Sequence, residues 1–264
     1  MGIEFFYPNG KTKALTFSYD DGQVHDRRLV EIFNKYQVKA TFHMNSGQLD
    51  KPDFITVEEL KNLYQGHEIA CHGVEHLYMN QLPKELLVNE IWEDRRSLEQ
   101  WTGRIITGMS YAFGEYSDEI VNALSIFGIQ YARTVNSSGG FGVPGDFMKW
   151  YPTCHHNDGI MEKAKTFLNK PGYMRLPLFY IWGHSFEFER ENTWDLIEEF
   201  CKEISFKKDT WYTTNIDYRN YVIAMRSLIF NVDNTCVLNP TGFSVWLQGK
   251  KEILEIKPGA TVIL

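Results

Sequence analysis

Thr16-Phe17-Ser18-Tyr19-Asp20-Asp21-Gly22 decides how this chain reads. Leu15, Phe17 and Tyr19 alternate with smaller or polar residues, which is the period of a buried strand. The strand ends by delivering two adjacent carboxylates, Asp20 and Asp21, into a glycine turn. Two ionised carboxylates repel, and a buried pair persists when a proton is shared or a cation neutralises the charge. The stretch therefore asks whether the rest of the chain supplies metal ligands.

His72-Gly73-Val74-Glu75-His76 supplies them, directly after a second strand-like run, Glu68-Ile69-Ala70-Cys71. Two imidazoles four residues apart face the same way on a helical turn and can chelate one ion. Asp21, His72 and His76 then make a two-His, one-carboxylate set, and three protein ligands leave coordination positions open, as a catalytic metal requires. Each pattern alone is common in solvated turns and helix faces. Their joint placement at the C-terminal ends of predicted strands puts them on one face of a β/α architecture, the face that carries active sites.

Working outward, strands are predicted at about 13–19, 39–44, 68–71, 106–111, 129–135, 175–182 and 211–214. Helical spacing fills most of the intervals between them. A capping box at Thr56–Glu59, Pro83 at a helix start and the Ser117-Asp118 cap mark three helix beginnings. This alternation predicts an α/β fold, either a parallel β/α barrel or a doubly wound sheet. Residues 136–159 read as a long irregular loop of the kind that is usually functional. From Ile229 the pattern changes to short alternating strands with Pro and Gly turns. The expected organisation is a barrel over 1–228 and a small β-rich extension over 229–264, which acts as a packing element.

Composition narrows the function. The 264 residues are 43% hydrophobic and 15% aromatic, enough for a full core. A net charge of −7 without a basic stripe argues against nucleic-acid or anionic-membrane binding. No run approaches the length of a membrane span. The start, Met1-Gly2-Ile3-Glu4, has neither a basic nor an apolar leader region, so the chain as written is expected to be intracellular; a trimmed secreted protein would look the same. The four cysteines show no zinc-knuckle spacing.

Further candidates sit at other strand ends. His184, in Ile181-Trp182-Gly183-His184-Ser185, should share the face of Asp20 and His72. Tyr111-Ala112-Phe113-Gly114 offers a backbone N–H for an oxyanion, and Arg133 is a candidate buried cation facing the carboxylates. Gly140 to Gly145 matches G-x-G-x-x-G literally, but it lies in a loop, contains Pro144 and opens no helix, so it is not a nucleotide fingerprint. His155-His156 is a second pair, but adjacent imidazoles rarely share an ion, and a pocket-lining loop is the expected role.

Ser18-Tyr19-Asp20-Asp21-Gly22, His72-x-x-x-His76 and Gly183-His184 resemble, in order and approximate spacing, three motifs of the polysaccharide deacetylases, the NodB-homology group of carbohydrate esterase family four. The likeness covers about residues 13–214. It implies a distorted (β/α)7 barrel, a divalent metal (commonly zinc) held by Asp21, His72 and His76, and an acetylated carbohydrate substrate, with N-acetyl favoured over O-acetyl. It implies Asp20 as general base, His184 as general acid and the Phe113 amide in the oxyanion hole. Where the family has an Arg-x-Pro-Tyr-type motif, this chain has Ser110-Tyr111-Ala112-Phe113-Gly114, so Ser110 stands in place of the Arg that orients the base. Arg133 is expected to replace it. Tyr111 is a further candidate beside the site, and Asp146 and Trp150 are the nearest match to a fourth motif. Two alternatives stay open: a hydrolase of a non-sugar amide or imide, and a carbohydrate-binding protein without catalysis.

Overall fold

Nine residues, Lys13–Asp21 (β1), form the strand on which the main sheet is built. The computed structural model describes residues 3–170 and 174–264, so Met1 and Gly2, read above for a leader, lie outside it. The following strands are Ala40–Met44 (β2), Glu68–Cys71 (β3), Gly108–Ser110 (β4), Tyr131–Arg133 (β5), Cys154–His155 (β6), Leu178–His184 (β7) and Thr210–Tyr212 (β8). They pair in the order β5-β4-β3-β2-β1-β7-β6, and every ladder is parallel. β8 pairs with β1 over Lys13–Leu15, below the point at which β2 joins at Phe17. The result is the expected α/β barrel of distorted (β/α)7 type, with a small β appendage at its C-terminal end.

The two faces of β1 explain the curl. Leu15, Phe17 and Tyr19 point outward into the helices, where Phe17 stacks on Phe33 at 4.6 Å and meets Phe200 at 6.0 Å. Thr16, Ser18 and Asp20 point inward and are polar yet buried. Buried polar groups need partners. Thr16 donates to Asn215 Oδ1 at 2.9 Å, and Ser18 Oγ accepts from Arg133 Nε at 2.9 Å. A polar lining thus ties the inward faces of separate strands together.

Several boundaries differ from the sequence-based expectation. The Thr56–Glu59 capping box is present but opens only a 3-10 turn, Val57–Glu59, and the short helix Leu60–Leu63. The supposedly irregular 136–159 stretch contains β6, too short at two residues to show a pattern. The interval between β7 and β8 holds two helices, Ser185–Arg190 and Trp194–Ile204, the first starting directly at the end of β7. Beyond residue 228 the short strands are present, with Cys236–Leu238 paired between Ile229–Phe230 and Thr261–Ile263. A second small sheet joins Val245–Gln248 and Ile253–Ile256 to the N-terminal pair Phe5–Phe6. Among the described residues no helix is long and apolar enough to cross a membrane.

Candidate metal centre and active site

The C-terminal ends of β1, β3, β4, β5 and β7 converge on one rim. By strand alternation Asp20 points into the barrel, and Asp21 leaves the strand through a left-handed backbone, φ +82. That turn swings its carboxylate toward the loop after β3. Asp21 Oδ1 lies 3.6 Å from His72 Nε2 and 3.8 Å from His76 Nε2. The two imidazoles do not lie on a helical turn, as the spacing suggested. Residues 72–78 are irregular, with Gly73 at φ +92 and His76 at φ +58.

These donors fit a metal on two counts. Ligands about 2.0–2.2 Å from a tetrahedral ion stand about 3.3–3.6 Å apart, close to the observed spacings, which are too long for hydrogen bonds between the groups themselves. The tautomer of His72 also agrees: Nδ1 faces the Ser110 carbonyl at 3.0 Å and its hydroxyl at 2.7 Å. The carbonyl can only accept, so Nδ1 carries the proton and Nε2 presents its lone pair, as in ligating histidines. Burial, then His72, hold the His76 imidazole below its usual pKa and so in its neutral donor form.

A second group, His155, His156 and Glu187, lies at comparable spacing. Its chemistry is different. His155 Nδ1 accepts the Asn157 N–H at 3.2 Å, so Nε2 carries the proton and faces Glu187 Oε2 at 3.0 Å. That nitrogen pairs with a carboxylate and has no lone pair for a metal.

Asp20 is held from two sides. Ser110 Oγ donates to Oδ1 at 3.1 Å, and Arg133 Nη2 donates to Oδ2. Arg133 is itself fully buried, with its guanidinium 4.5 Å from the Trp182 ring centroid. Burial pushes the Asp20 carboxyl up, but Arg133, with His72, His43 and His184, outweighs it and holds the group well below the usual carboxylate range. Ser110 bridges Asp20 to His72.

His184 ends β7 level with Asp20 on the adjacent strand. Glu187, three residues on, accepts the His184 backbone N–H at 3.2 Å and places Oε2 3.3 Å from His184 Nδ1. Burial lowers the His184 pKa, but Glu187, Asp20 and Asp21 together raise it above the ordinary imidazole value. Glu187 escaped the sequence reading, although His184-x-x-Glu187 has the spacing of a capping box. Phe113 adopts a left-handed backbone, φ +58, and its N–H has no hydrogen-bond partner among the described residues. Its ring sits 4.4 Å from His76 and stacks on Tyr78 at 3.7 Å. Tyr111 and Trp150 are not brought to this cluster. Tyr111 is buried with its hydroxyl donating to Met148 O at 2.8 Å, and Trp150 packs against Tyr180 and Tyr218.

The parallel β/α barrel thus brings to its strand ends, the face where such folds carry their sites, an Asp-His-His set that could hold a metal ion and a separate buried carboxylate. The polysaccharide deacetylase family model matches residues 7–132, so the chain is related to the polysaccharide deacetylases through the half that contains Asp20, Asp21, His72, His76 and Phe113. A peptidoglycan-N-acetylglucosamine deacetylase from Bacillus cereus is 28% identical over 96 residues, 36% of this chain. The match spans 43% of that relative's length. The fold is shared with a Mycobacterium smegmatis protein assigned to the polysaccharide deacetylases (TM-score 0.64, 19% identity, 85% of this chain and 95% of the other). It is also shared with the carbohydrate esterase family four domain of a multidomain xylanase from the hindgut metagenome of Trinervitermes trinervoides (TM-score 0.56, 15% identity, 78% and 89%). A Bacillus anthracis pseudoenzyme of the same family has this fold as well (TM-score 0.53, 16% identity, 82% and 68%).

Proposed function

We propose that the protein is a metal-dependent hydrolase that removes acetyl groups, N-acetyl in preference to O-acetyl, from a carbohydrate. The observation that carries this reading is the convergence of Asp21, His72 and His76 beside an ionised, separately held Asp20. Asp21 Oδ1, His72 Nε2 and His76 Nε2 would hold a divalent ion, zinc by the N/O donor set. Such an ion supplies Lewis acidity toward a carbonyl and lowers the pKa of water.

The chain's own groups account for the rest. Asp20, kept ionised by Arg133 and oriented by Ser110, takes the proton of the attacking water. The free Phe113 N–H receives the charge that develops on the carbonyl oxygen. His184, kept protonated beside Glu187, gives a proton to the departing nitrogen; such proton transfers contribute about 10²–10⁴ in rate. Without that proton the nitrogen would have to leave as an amide anion, a far poorer leaving group than an alkoxide, so this acid matters most for an N-acetyl substrate. Every group of the set is present with its partners in place, which supports catalysis over mere binding. In the same proposal residues 229–264 are a packing extension: Val245, Leu247 and Ile256 cluster with Tyr7, Tyr218 and Tyr221.

The test is acetate release from N-acetylglucosamine oligomers, peptidoglycan and acetylated xylan. Release from the N-acetylated glycans is expected. Zinc binding with no acetate from any of them would turn the assignment toward a non-sugar amide.

A further inference from the structure

The loop 72–77 has no repeating secondary structure, two of its residues have left-handed backbones, and it carries two of the three proposed metal ligands. Something outside it must fix the distance between the two rings. The helix Lys84–Thr102 lies behind it and presents two buried carboxylates one turn apart, Glu90 and Asp94, which therefore share a helix face.

Asp94 grips the His72 end. Its Oδ2 accepts the N–H groups of His72 and Gly73, each at 3.0 Å, and its Oδ1 accepts the Ser46 N–H at 2.9 Å. Glu90 grips the His76 end. Its Oε1 accepts the N–H of Glu75 at 2.9 Å and of Leu77 at 3.2 Å, the residues on either side of His76. The Glu90 main-chain carbonyl also accepts the Val74 N–H at 3.2 Å. A Cβ on Gly73 would stand 2.6 Å from Glu90 Oε1, so the chain passes over this carboxylate only because residue 73 is glycine. The side chains have unequal anchoring too. His72 is fixed through Ser110, but among the described residues the His76 ring makes no hydrogen bond and only rests against Phe113, His72 and Asp21, so its position follows largely from its backbone.

We infer that Glu90 and Asp94 are positioning residues that set the spacing of the His72 and His76 imidazoles, the regular helix serving as the ruler for an irregular loop. The inference rests on the proposed metal site. It assigns no chemistry to either carboxylate; each acts as an acceptor for loop N–H groups. Because Glu90 engages the loop through one oxygen, an amide should replace it. Because Asp94 uses both oxygens, an amide should not.

The experiment is zinc affinity by chelator competition, with the visible spectrum of the cobalt-substituted protein as the report on ligand geometry and circular dichroism as the check on folding. Glu90→Ala should bind zinc about 10–100-fold more weakly, the usual cost of losing an outer-shell partner, with an altered cobalt spectrum. Glu90→Gln should stay near wild type, and Asp94→Asn should fall well below it. If Glu90→Ala does not fold, Glu90→Asp, one methylene short of the loop, should show the same loss in a folded chain. A folded Glu90→Ala or Glu90→Asp with wild-type affinity and spectrum would overturn the inference, as would Glu90→Gln binding as weakly as the truncation. A wild-type chain that binds no zinc would instead remove the metal site on which the inference rests.

Discussion

Arg133 and Asp20 form a buried ion pair across the mouth of the barrel, Nη2 against Oδ2. Their strands are not neighbours: three strands separate β5 from β1 in the sheet order. Only the curl of the sheet brings the two ends together, so this pair ties the closure of the fold to the ionisation of the proposed base.

Arg133→Ala leaves a buried carboxylate without its cation, and removing one partner of a buried pair costs about 3–5 kcal/mol of stability. Burial then pushes the Asp20 carboxyl up, so the acidic limb of the pH–rate profile should move to higher pH. Chemical denaturation and kcat/KM against pH check both effects. Full activity with an unshifted limb would show that Arg133 does not tune the base.

Asp20→Asn keeps the shape and the Ser110 contact but cannot accept a proton. Turnover should fall by at least about 10²–10⁴, while zinc affinity changes little because Asp21, His72 and His76 remain. Acetate release and metal content on the same sample separate the two roles.

Glu187→Gln removes the charge beside His184. Without it burial pulls the imidazole pKa down, so the acid form is lost at lower pH and the basic limb of the rate profile should move toward acid. An unmoved basic limb would assign Glu187 to helix capping alone.

Glu68 supplies a stability test away from the site. It is held by Tyr131 and Thr41 hydroxyls, each at 2.7 Å, and by the Ile216 N–H at 2.9 Å. Burial pushes its carboxyl up to about 7, against the opposing effect of these hydrogen bonds. A carboxyl raised on folding favours the folded state while protonated. Its contribution is present below the unfolded value near 4.5 and is lost as pH rises through about 7. The loss approaches about 3 kcal/mol at 1.36 kcal/mol per pKa unit. Urea melts of wild type and Glu68→Gln should therefore differ in pH slope between about pH 4.5 and 7, the variant being flatter.

How far the sequence could be read follows from the range of the interactions. β1 was legible because its alternation is local: Phe17 and Tyr19 meet the helices while Ser18 and Asp20 line the barrel. The proposed ligands were legible as residue types, but the geometry that brings them together was not. His72 and His76 meet through a left-handed loop held by Glu90 and Asp94, and nothing within residues 72–76 announces that support. Glu187 was hidden because its helix, Ser185–Arg190, is too short to show a period. Tyr111 and Trp150 were drawn in by motif position, whereas their rings are consumed in packing.

The most direct measurement is a zinc titration of the chelator-treated protein, following acetate release from an N-acetylglucosamine oligomer. Acetate release should be negligible without metal, rise with added zinc and level off at one ion per chain, as a single Asp21-His72-His76 centre requires. Undiminished acetate release after chelation, or one tightly bound zinc per chain with no acetate formed, would contradict the account.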